Sequence, residues 1–318
     1  MEENKKRSIK FKIESIMKLS VIISTKNSED IIERALKSVS FADEIVVVDM
    51  HSQDKTLEIV KQYTDKFFSH KDHGYIEPVR NFSISKAKGD WILIIDADEE
   101  VSPDLQQALA SIVKAKDQEK LPDCFYLPRK NIIFKKWIQK TGWWPDYQLR
   151  FFRKDHVQWS DQIHSVPITK GEVKEFPAKE KFALLHHNYQ SITQFVDRLN
   201  NYSSIQSQEK SIERALTAAD ILEEFSGSFL RRLFAQEGIE DSLHGMSLSI
   251  LQSTADAVMT MKIWERQGFK QSQPHLMKTL NSLTRFRNEL SYWIATTQIK
   301  HATGIKKVWW RLRRKLMF

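Results

Sequence analysis

The stretch W-I-L-I-I-D-A-D-E-E, residues 91–100, joins an apolar segment directly to a cluster of acidic side chains. Its first five residues are typical of a buried strand, whereas four of its last five are Asp or Glu. Carboxylates held close together repel one another unless a cation or a proton lies between them. The stretch therefore predicts a buried strand whose carboxyl end meets positive charge.

Two similar units precede this strand. L-S-V-I-I-S (19–24) and E-I-V-V-V-D-M (44–50) are apolar runs, and each is followed by polar residues and then by helical spacing. A third helical segment, residues 80–90, leads into residues 91–96, and Gly89 is placed to end that helix. Alternating strands and helices predict an α/β fold, in which a mostly parallel sheet is sandwiched by helices.

The sequence pattern changes twice in the remainder of the chain. Residues 121–190 contain aromatics, turns and short extended pieces, which predict the mixed edge of the same sheet. From Ser191 helical spacing dominates, so we expect a helical C-terminal region with a boundary between residues 190 and 215. The polar, basic residues 1–18 are interpreted as an N-terminal leader.

Length and composition indicate a globular protein. A chain of 318 residues with 41% hydrophobic content can bury a full core. The single cysteine, Cys124, cannot form an intrachain disulfide, and the sequence has neither an apolar run of 18 residues nor a cleavable signal pattern. These features predict a cytoplasmic location.

The positive charge of the chain is concentrated at its C-terminal end. The formal net charge is +8, and residues 304–318 contain six Lys or Arg residues and no acid. Val308, Trp309, Leu312 and Leu316 share one helical face there, which is typical of a helix that lies on an anionic membrane surface. A basic helix packed on its own domain, or a solvated terminus, would fit the same pattern.

Polar residues follow each predicted strand of the first half. In open α/β sheets ligands bind at the carboxyl ends of the strands, so these residues should converge on one rim. They are Ser24, Thr25, Asn27, Asp49, Ser52, Asp54, Asp96 and Asp98. Asp96 and Asp98 alternate along an extended segment, so both can reach one divalent ion. The alternative is that they are ordinary acids that precede a helix, which we expect to start near Ser102 and Pro103, with Glu99 and Glu100 favouring its N-terminus.

Two common nucleotide-binding motifs are absent from the sequence. The sequence has no P-loop lysine motif and no G-x-G-x-x-G after the first strand, which argues against P-loop hydrolysis and dinucleotide binding. Phosphate charge would then be met by a metal ion and by side chains, among which Arg80 is a candidate.

Several segments, taken in order, resemble the inverting family 2 glycosyltransferases with the GT-A fold. They are S-V-I-I-S-T-K-N-S-E-D (20–30), E-I-V-V-V-D-M-H-S-Q-D-K-T (44–56), the R-N pair (80–81) and L-I-I-D-A-D-E-E-V-S-P (93–103). W-W-P-D-Y-Q-L-R-F-F-R-K (143–154) and L-L-H-H-N-Y (184–189) are similar to the branch of lipopolysaccharide core β-1,4-glucosyltransferases. The resemblance implies a GT-A domain over 19–200, with a nucleotide-sugar half (19–105) and an acceptor half (106–200), and a helical region over 201–318.

The resemblance also implies roles for the residues on the donor side. Asp49 would contact the nucleotide base, Arg80 the base or the diphosphate, and Asp96 the ribose or the sugar. Asp98 would hold a divalent metal, Mn or Mg. The nucleotide-sugar pocket would be lined by Ser24, Thr25, Lys26 and Asn27.

On the acceptor side, the resemblance implies a carboxylate that deprotonates the attacking hydroxyl, and Asp146 is our candidate. Its alternative is an acid in a Pro-Asp turn or one paired with Arg150. Trp143, Trp144 and Arg150 are the acceptor-binding candidates, although adjacent tryptophans also anchor loops on a core. Among His164, His186 and His187 we name His186 as a further metal ligand, while a structural role remains open for each.

The function implied is a metal-dependent inverting transfer of a hexose from a nucleotide-diphosphate sugar, with a UDP-sugar favoured. The acceptor would be a glycan or a lipid-linked molecule, as in lipopolysaccharide core or cell-surface polysaccharide synthesis, reached from the cytoplasmic face of the membrane. A peptide S- or O-glycosyltransferase on the same scaffold is an alternative. A nucleotidyltransferase would need a glycine-rich basic first loop, and a basic nucleic-acid-binding protein would not concentrate acids at strand ends.

Overall fold

A computed structural model describes residues 17–74, 76–160, 166–210, 212–270 and 275–315 of the chain. His164, Leu316 and nearly all of the predicted leader lie outside the described residues.

The strands and helices of the described residues follow the predicted alternation in the first hundred residues. The strands are β1 (Leu19–Thr25), β2 (Glu44–Asp49), β3 (Phe67–Ser69), β4 (Trp91–Asp96), β5 (Glu99–Val101), β6 (Cys124–Ile133), β7 (Lys136–Trp137), β8 (Asp146–Arg153), β9 (Val157–Gln158), β10 (Ile168–Thr169), β11 (Val173–Glu175) and β12 (Leu184–His187). The helices are α1 (Ile32–Ser38), α2 (Thr56–Val60), α3 (Glu77–Lys86), α4 (Pro103–Val113), α5 (Ile192–Glu209), α6 (Ala218–Leu230), α7 (Leu243–Arg266), α8 (Leu276–His301) and α9 (Gly304–Lys315).

The main sheet is mixed rather than mostly parallel. In the described part of the chain its order is β3-β2-β1-β4-β8-β6-β12-β5, with β7 and β11 paired to β6. Strands β1 to β4 pair in parallel, as the alternation with helices predicts. Strand β8 lies antiparallel to both β4 and β6. It follows β6 and β7 in the chain without an intervening α-helix, and a parallel neighbour of β6 would need a long crossover connection. The expected mixed edge over residues 121–190 is confirmed.

The central strands are buried on both faces. Val21 and Ile23 of β1 pack into one apolar cluster with α1 and α4, whereas Ile22 packs into a second cluster beside α3. Alternate residues thus serve opposite layers, which explains why β1, β2 and β4 are continuous apolar runs.

The helical region begins at α5, directly after the sheet. Residue 200 lies within α5, so a boundary there would divide a continuous helix. We propose that the boundary is at Ser191, whose side chain caps α5 by accepting a hydrogen bond from the Gln194 amide at 3.1 Å.

The C-terminal helices also hold the loop between β7 and β8. The amide of Lys140 donates to Oδ2 of the buried Asp241 at 2.9 Å, and the amide of Thr141 donates to the carbonyl of Gln236 at 2.9 Å. The two adjacent tryptophans Trp143 and Trp144 follow in this loop. The C-terminal region therefore fixes the position of the loop that carries both tryptophans.

Gly89 has a different role from the one that its position suggests. Helix α3 already ends at Lys86, and a Cβ on Gly89 would lie 2.6 Å from the Ser20 amide nitrogen and 2.8 Å from the Lys18 carbonyl oxygen. The glycine is required because the chain that enters β4 passes directly against the start of β1.

We therefore expect Gly89→Ala to lower the free energy of unfolding by about 1–3 kcal/mol, because the backbone must shift to admit a methyl group. Gly227→Ala in α6 is the matched control, since a Cβ there meets nothing within 4 Å. Alanine at that helical position should stabilise the protein by about 0.5–1 kcal/mol. Urea midpoints measure both changes, and a Gly89→Ala midpoint equal to wild type would contradict the steric account.

Candidate active site

The carboxyl ends of β1, β2 and β4 meet at one edge of the sheet. Thr25 is the register partner of Asp49, and Ser24 is the register partner of Asp96. The sequence-predicted rim therefore forms in three dimensions.

The loops after β1 and β2 are tied together at this rim. Asp49 is 2% exposed, and its carboxylate accepts hydrogen bonds from the amide of Ser52 at 3.0 Å and from its hydroxyl at 2.5 Å. The Asn27 amide donates to Oγ of Ser52 at 2.8 Å, and Oδ1 of Asn27 accepts from the Gln53 amide at 2.8 Å. Asp49 and Asn27 thus hold the loops after β1 and β2 against each other.

The other donor-side candidates lie at the end of β1 and in the loop that follows it. Ser24 and Thr25 are both buried, and Oγ of Ser24 lies 3.5 Å from Oγ of Ser83 in α3. Lys26 is more exposed and forms an ion pair with Asp72.

Arg80 approaches the acidic cluster from α3. Its Nη2 lies 3.7 Å from Oδ1 of Asp96, and its guanidinium packs 5.4 Å from the ring centroid of Trp159. The neighbouring Asn81 donates to the Trp159 carbonyl at 2.7 Å and accepts from the Trp159 amide at 3.0 Å. The R-N pair therefore combines a cation beside Asp96 with an amide that fixes the tryptophan beneath it.

Asp96 meets its positive charge within the protein. Nη1 and Nη2 of Arg150 donate to its two carboxylate oxygens at 3.3 and 2.5 Å. Burial by itself would raise the pKa of Asp96, but the charges of Arg150 and Arg80 outweigh it and hold the pKa well below the usual range. Asp96 is consequently a permanent carboxylate, and one answer to the charge of residues 96–100 is a buried arginine.

Glu99 connects this pair to the acceptor side. The side chain is 0% exposed, and its Oε1 accepts from Arg150 at 2.9 Å and from Arg129 at 3.2 Å. Its Oε2 accepts from the Asp96 amide at 2.9 Å. The prediction that Glu99 favours the N-terminus of α4 is wrong, because its side chain turns inward from β5. Helix α4 does start where we expected, with the hydroxyl of Ser102 accepting from the Leu105 amide at 3.3 Å.

Asp146 lies at the far end of the same chain of charges. Nε of Arg129 donates to its Oδ2 at 2.9 Å, the amide of Asn131 donates to Oδ2 at 3.0 Å, and the amide of Gln148 donates to Oδ1 at 2.9 Å. Burial would raise the pKa of Asp146, but the charge of Arg129 and these hydrogen bonds lower it. Asp146 is thus ionised at neutral pH and oriented by three side chains.

Asp98 lies on the other side of the strand end, next to His186 of β12. Oδ2 of Asp98 is 3.6 Å from Nε2 of His186 and 3.7 Å from Nη2 of Arg198. Burial would raise the pKa of Asp98, but its interaction with His186 and the charge of Arg198 lower it.

The tautomer of His186 follows from Asn131. The Nδ2 group of Asn131 donates to the Trp143 carbonyl at 3.1 Å and to Asp146 at 3.0 Å, both of which only accept. Oδ1 of Asn131 therefore faces Nδ1 of His186 at 2.6 Å and accepts a hydrogen bond from its N–H group. When His186 is neutral, Nε2 presents a lone pair to Asp98, and this is the arrangement of a metal-binding histidine held by an outer hydrogen bond.

The pair fits a divalent ion that is completed by other ligands. Adjacent ligands of an octahedral Mg or Mn ion lie about 3 Å apart, close to the Asp98–His186 separation. Among the described residues, no three His, Cys, Asp or Glu side chains come together as a metal site. A magnesium-type ion with one or two protein ligands takes the remainder from phosphate oxygens and water.

The remaining candidates are more buried than the sequence suggests. Arg150 is 2% exposed and lies beneath Asp96, so its guanidinium is not open to an acceptor in this arrangement. Trp143 packs edge-on against Tyr189 at 6.4 Å and Trp144 edge-on against Trp137 at 5.3 Å. His187 turns away from the Asp98 pair, since its Nε2 lies 2.6 Å from Oε1 of Glu100.

Comparison with known proteins places this geometry in a family. A sequence profile described as "Glycosyl transferase family 2" matches residues 20–168. An uncharacterised glycosyltransferase of Rickettsia felis is 31% identical over 245 residues, which cover 71% of this chain and 84% of the relative. The chain belongs to glycosyl transferase family 2.

More distant similarities concern other members. The poly(ribitol-phosphate) β-N-acetylglucosaminyltransferase TarS of Staphylococcus aureus is 33% identical over 110 residues, 31% of this chain and 19% of TarS. A crystal structure of S. aureus TarS 1-349 in complex with UDP covers 81% of this chain and 93% of that one, at 16% identity and a TM-score of 0.40. The predicted GT-A-like α/β fold with a helical C-terminal region is confirmed, except that the main sheet is mixed rather than mostly parallel.

The sequence did not reveal all the residues that build the site of this glycosyltransferase. Glu99, Arg129, Asn131 and Arg198 were not recognised as site residues. Arg129 and Asn131 share one face of β6, but Lys130 stands between them, so the sequence shows a run of three polar residues and does not reveal which face carries the site. Arg198 comes from α5, and only tertiary packing brings it to Asp98.

None of the described helices of the glycosyltransferase combines the length and the apolar character that crossing a lipid bilayer requires.

Because Glu99 compensates two buried arginines, we expect Glu99→Gln to lower the free energy of unfolding by about 3 kcal/mol. Glu119→Gln is the control, since Glu119 is exposed and its replacement should change stability by no more than about 0.5 kcal/mol. Urea unfolding followed by circular dichroism compares the two variants. A Glu99→Gln variant as stable as the control would show that Arg129 and Arg150 do not depend on this carboxylate.

Proposed function

We propose that this glycosyltransferase moves a hexose from a UDP-sugar to a hydroxyl of a glycan or lipid-linked acceptor, with inversion at the anomeric carbon and a divalent Mn or Mg ion. The branch resemblance favours lipopolysaccharide core or cell-surface polysaccharide synthesis on the cytoplasmic side of a membrane. TarS, which shares sequence with 31% of this chain, is named as a β-N-acetylglucosaminyltransferase, and this supports a hexose as the transferred group.

The observation that carries the proposal is the arrangement of Asp98 and His186. Their facing atoms are 3.6 Å apart, and Asn131 holds the imidazole with Nε2 toward Asp98. This pair lies beside Asp96 at the ends of three parallel strands, where α/β sheets bind ligands. A divalent ion bound there would neutralise the diphosphate as it leaves.

The chain's own groups would then bind and orient the donor. Asp49, with Ser24, Thr25, Lys26 and Asn27, forms the wall assigned to the nucleoside, and Arg80 supplies a cation toward the diphosphate. We assign Arg150 a positioning role, because it is buried and donates to both carboxylate oxygens of Asp96.

On the acceptor side, Asp146 is the proposed base. Its lowered pKa makes it a weak base, so its contribution must come from orientation beside the attacking hydroxyl rather than from basicity. The loop that carries Trp143 and Trp144 ends at this carboxylate, and we propose that Trp144, which is half-buried, borders the acceptor.

Metal dependence is tested by direct binding as well as by turnover. We expect the wild type to bind Mn²⁺ in the presence of UDP, and Asn131→Ala to bind it about 10- to 100-fold more weakly, because the outer hydrogen bond to His186 is lost. Asp98→Asn should weaken binding further, since it removes a ligand charge. Electron paramagnetic resonance of free Mn²⁺ gives the affinities.

The control for these variants is Asp117→Asn, which removes an exposed carboxylate next to Gln118, and Gln118 contacts Trp91 at the opposite end of β4 from Asp96. UDP release is measured in parallel with Mn²⁺, with Mg²⁺ and with a chelator. Full turnover in the chelator, or Mn²⁺ binding that survives Asp98→Asn, would overturn the metal site without excluding sugar transfer.

The role of Asp146 is tested by Asp146→Asn, for which we expect kcat to fall about 10²- to 10⁴-fold with the donor KM nearly unchanged. Asp155→Asn, at an exposed turn, is the control. A product of inverted anomeric configuration, identified by nuclear magnetic resonance, is expected from the wild type. If Asp146 only pairs with Arg129, its variant will lose stability but keep kcat.

A further inference from the structure

Helix α9 folds back on α8 at the end of the described chain. Nη1 of Arg314 donates to Oγ1 of Thr296 at 3.3 Å, and its guanidinium packs 5.5 Å from the ring centroid of Tyr292. With about 3.6 residues per turn, Lys307, Trp310 and Arg314 lie on one side of α9. These three are its half-buried residues among 304–315, so this side faces α8.

The opposite side of α9 is apolar and faces solvent. Ile305 is 88% exposed, Val308 54%, Trp309 49% and Leu312 59%. A helix packed on its own domain normally buries its apolar stripe and exposes its charges. In α9 two cations lie on the packed side and the apolar stripe lies outside, so burial within the chain does not explain the pattern.

Positive charge borders this outward stripe. Lys306 and Arg313 lie along one edge, and Arg311 and Lys315 lie along the other, all four of them exposed. Residues 304–315 contain six Lys or Arg residues and no acid. The guanidinium of Arg313 packs 5.0 Å from the ring centroid of Trp309, which places a cation at the edge of the apolar surface.

We propose that α9 docks this glycosyltransferase on an anionic membrane surface, with Ile305, Val308, Trp309 and Leu312 entering the boundary between headgroups and acyl chains. Such a surface offers an apolar layer under a row of negative charge, and the outward stripe with its cationic borders is complementary to both. This inference goes beyond the proposed function and does not depend on the donor, the metal or the base.

Two other occupants fit the surface less well. In a symmetric dimer the same face of each copy would meet itself, which would bring two sets of cations together without a compensating acid on either helix. A nucleic acid would neutralise the cations but would leave the apolar stripe exposed to water. A membrane satisfies the charge and the apolar surface together.

The test is flotation of the full chain with vesicles of phosphatidylcholine alone and of phosphatidylcholine mixed with phosphatidylglycerol. We expect binding to the mixed vesicles only, and weaker binding at high salt because exposed charges are screened. Leu312→Asp should weaken binding by at least about tenfold, since it places a charge within the apolar stripe. The double change Arg311→Gln and Arg313→Gln should weaken it about thirtyfold, because each cation near an anionic surface contributes about fivefold.

Val166→Asp is the matched control, because Val166 is 79% exposed and lies far from α9 in sequence. It introduces the same charge at an equally open apolar position and should leave vesicle binding unchanged. Circular dichroism of each variant checks that the exposed substitutions do not unfold the helices.

Several results would overturn the proposal. They are the absence of binding to the mixed vesicles, equal binding by wild type and Leu312→Asp, and a concentration-dependent dimer that Leu312→Asp dissociates. UDP release with a water-soluble acceptor should be the same in wild type and Leu312→Asp. A wild type that binds the mixed vesicles but releases no UDP would instead count against the proposed function.

Discussion

The burial of Arg150 between Asp96 and Glu99 is the interaction on which the site depends. Strand β8 lies antiparallel to β4, so its arginine projects under the end of the strand that carries Asp96. A buried guanidinium without carboxylates would be strongly destabilising, and so would these carboxylates without it. The mixed sheet and the acidic rim are therefore mutually dependent, because the antiparallel strand supplies the cation that the parallel strand end requires.

Charge then alternates along a row of side chains that leads from β4 to β8. Asp96, Arg150, Glu99, Arg129 and Asp146 form one continuous series of contacts. Since each member holds the next, the distance between the donor carboxylate and the proposed base is set by rigid strands rather than by loops. Asp98 lies outside this series and has His186 and Arg198 as its neighbours instead.

Sequence reasoning succeeded where a signal was local. The apolar runs and helical spacings of residues 19–105 predicted the elements, and the polar strand ends predicted the rim at which Thr25 meets Asp49 and Ser24 meets Asp96. The interpretation of Glu99 was wrong, because an acid shortly before a helix is expected to interact with the helix N-terminus. The sequence does not show that the side chain of Glu99 points inward. Sequence reasoning read Arg150 as an acceptor contact for the same reason, since exposure is a property of the folded chain.

The sequence by itself determined the family, the α/β order and the charge at the strand ends, because these follow from periodicity and from motifs that lie close together in the chain. Only the tertiary structure decided which carboxylate meets which cation. Arg150 is 54 residues from Asp96, and Arg129 is 30 residues from Glu99. Likewise the sequence showed that α9 has an apolar face. It could not show that this face points to solvent, since that depends on which side of α9 packs against α8.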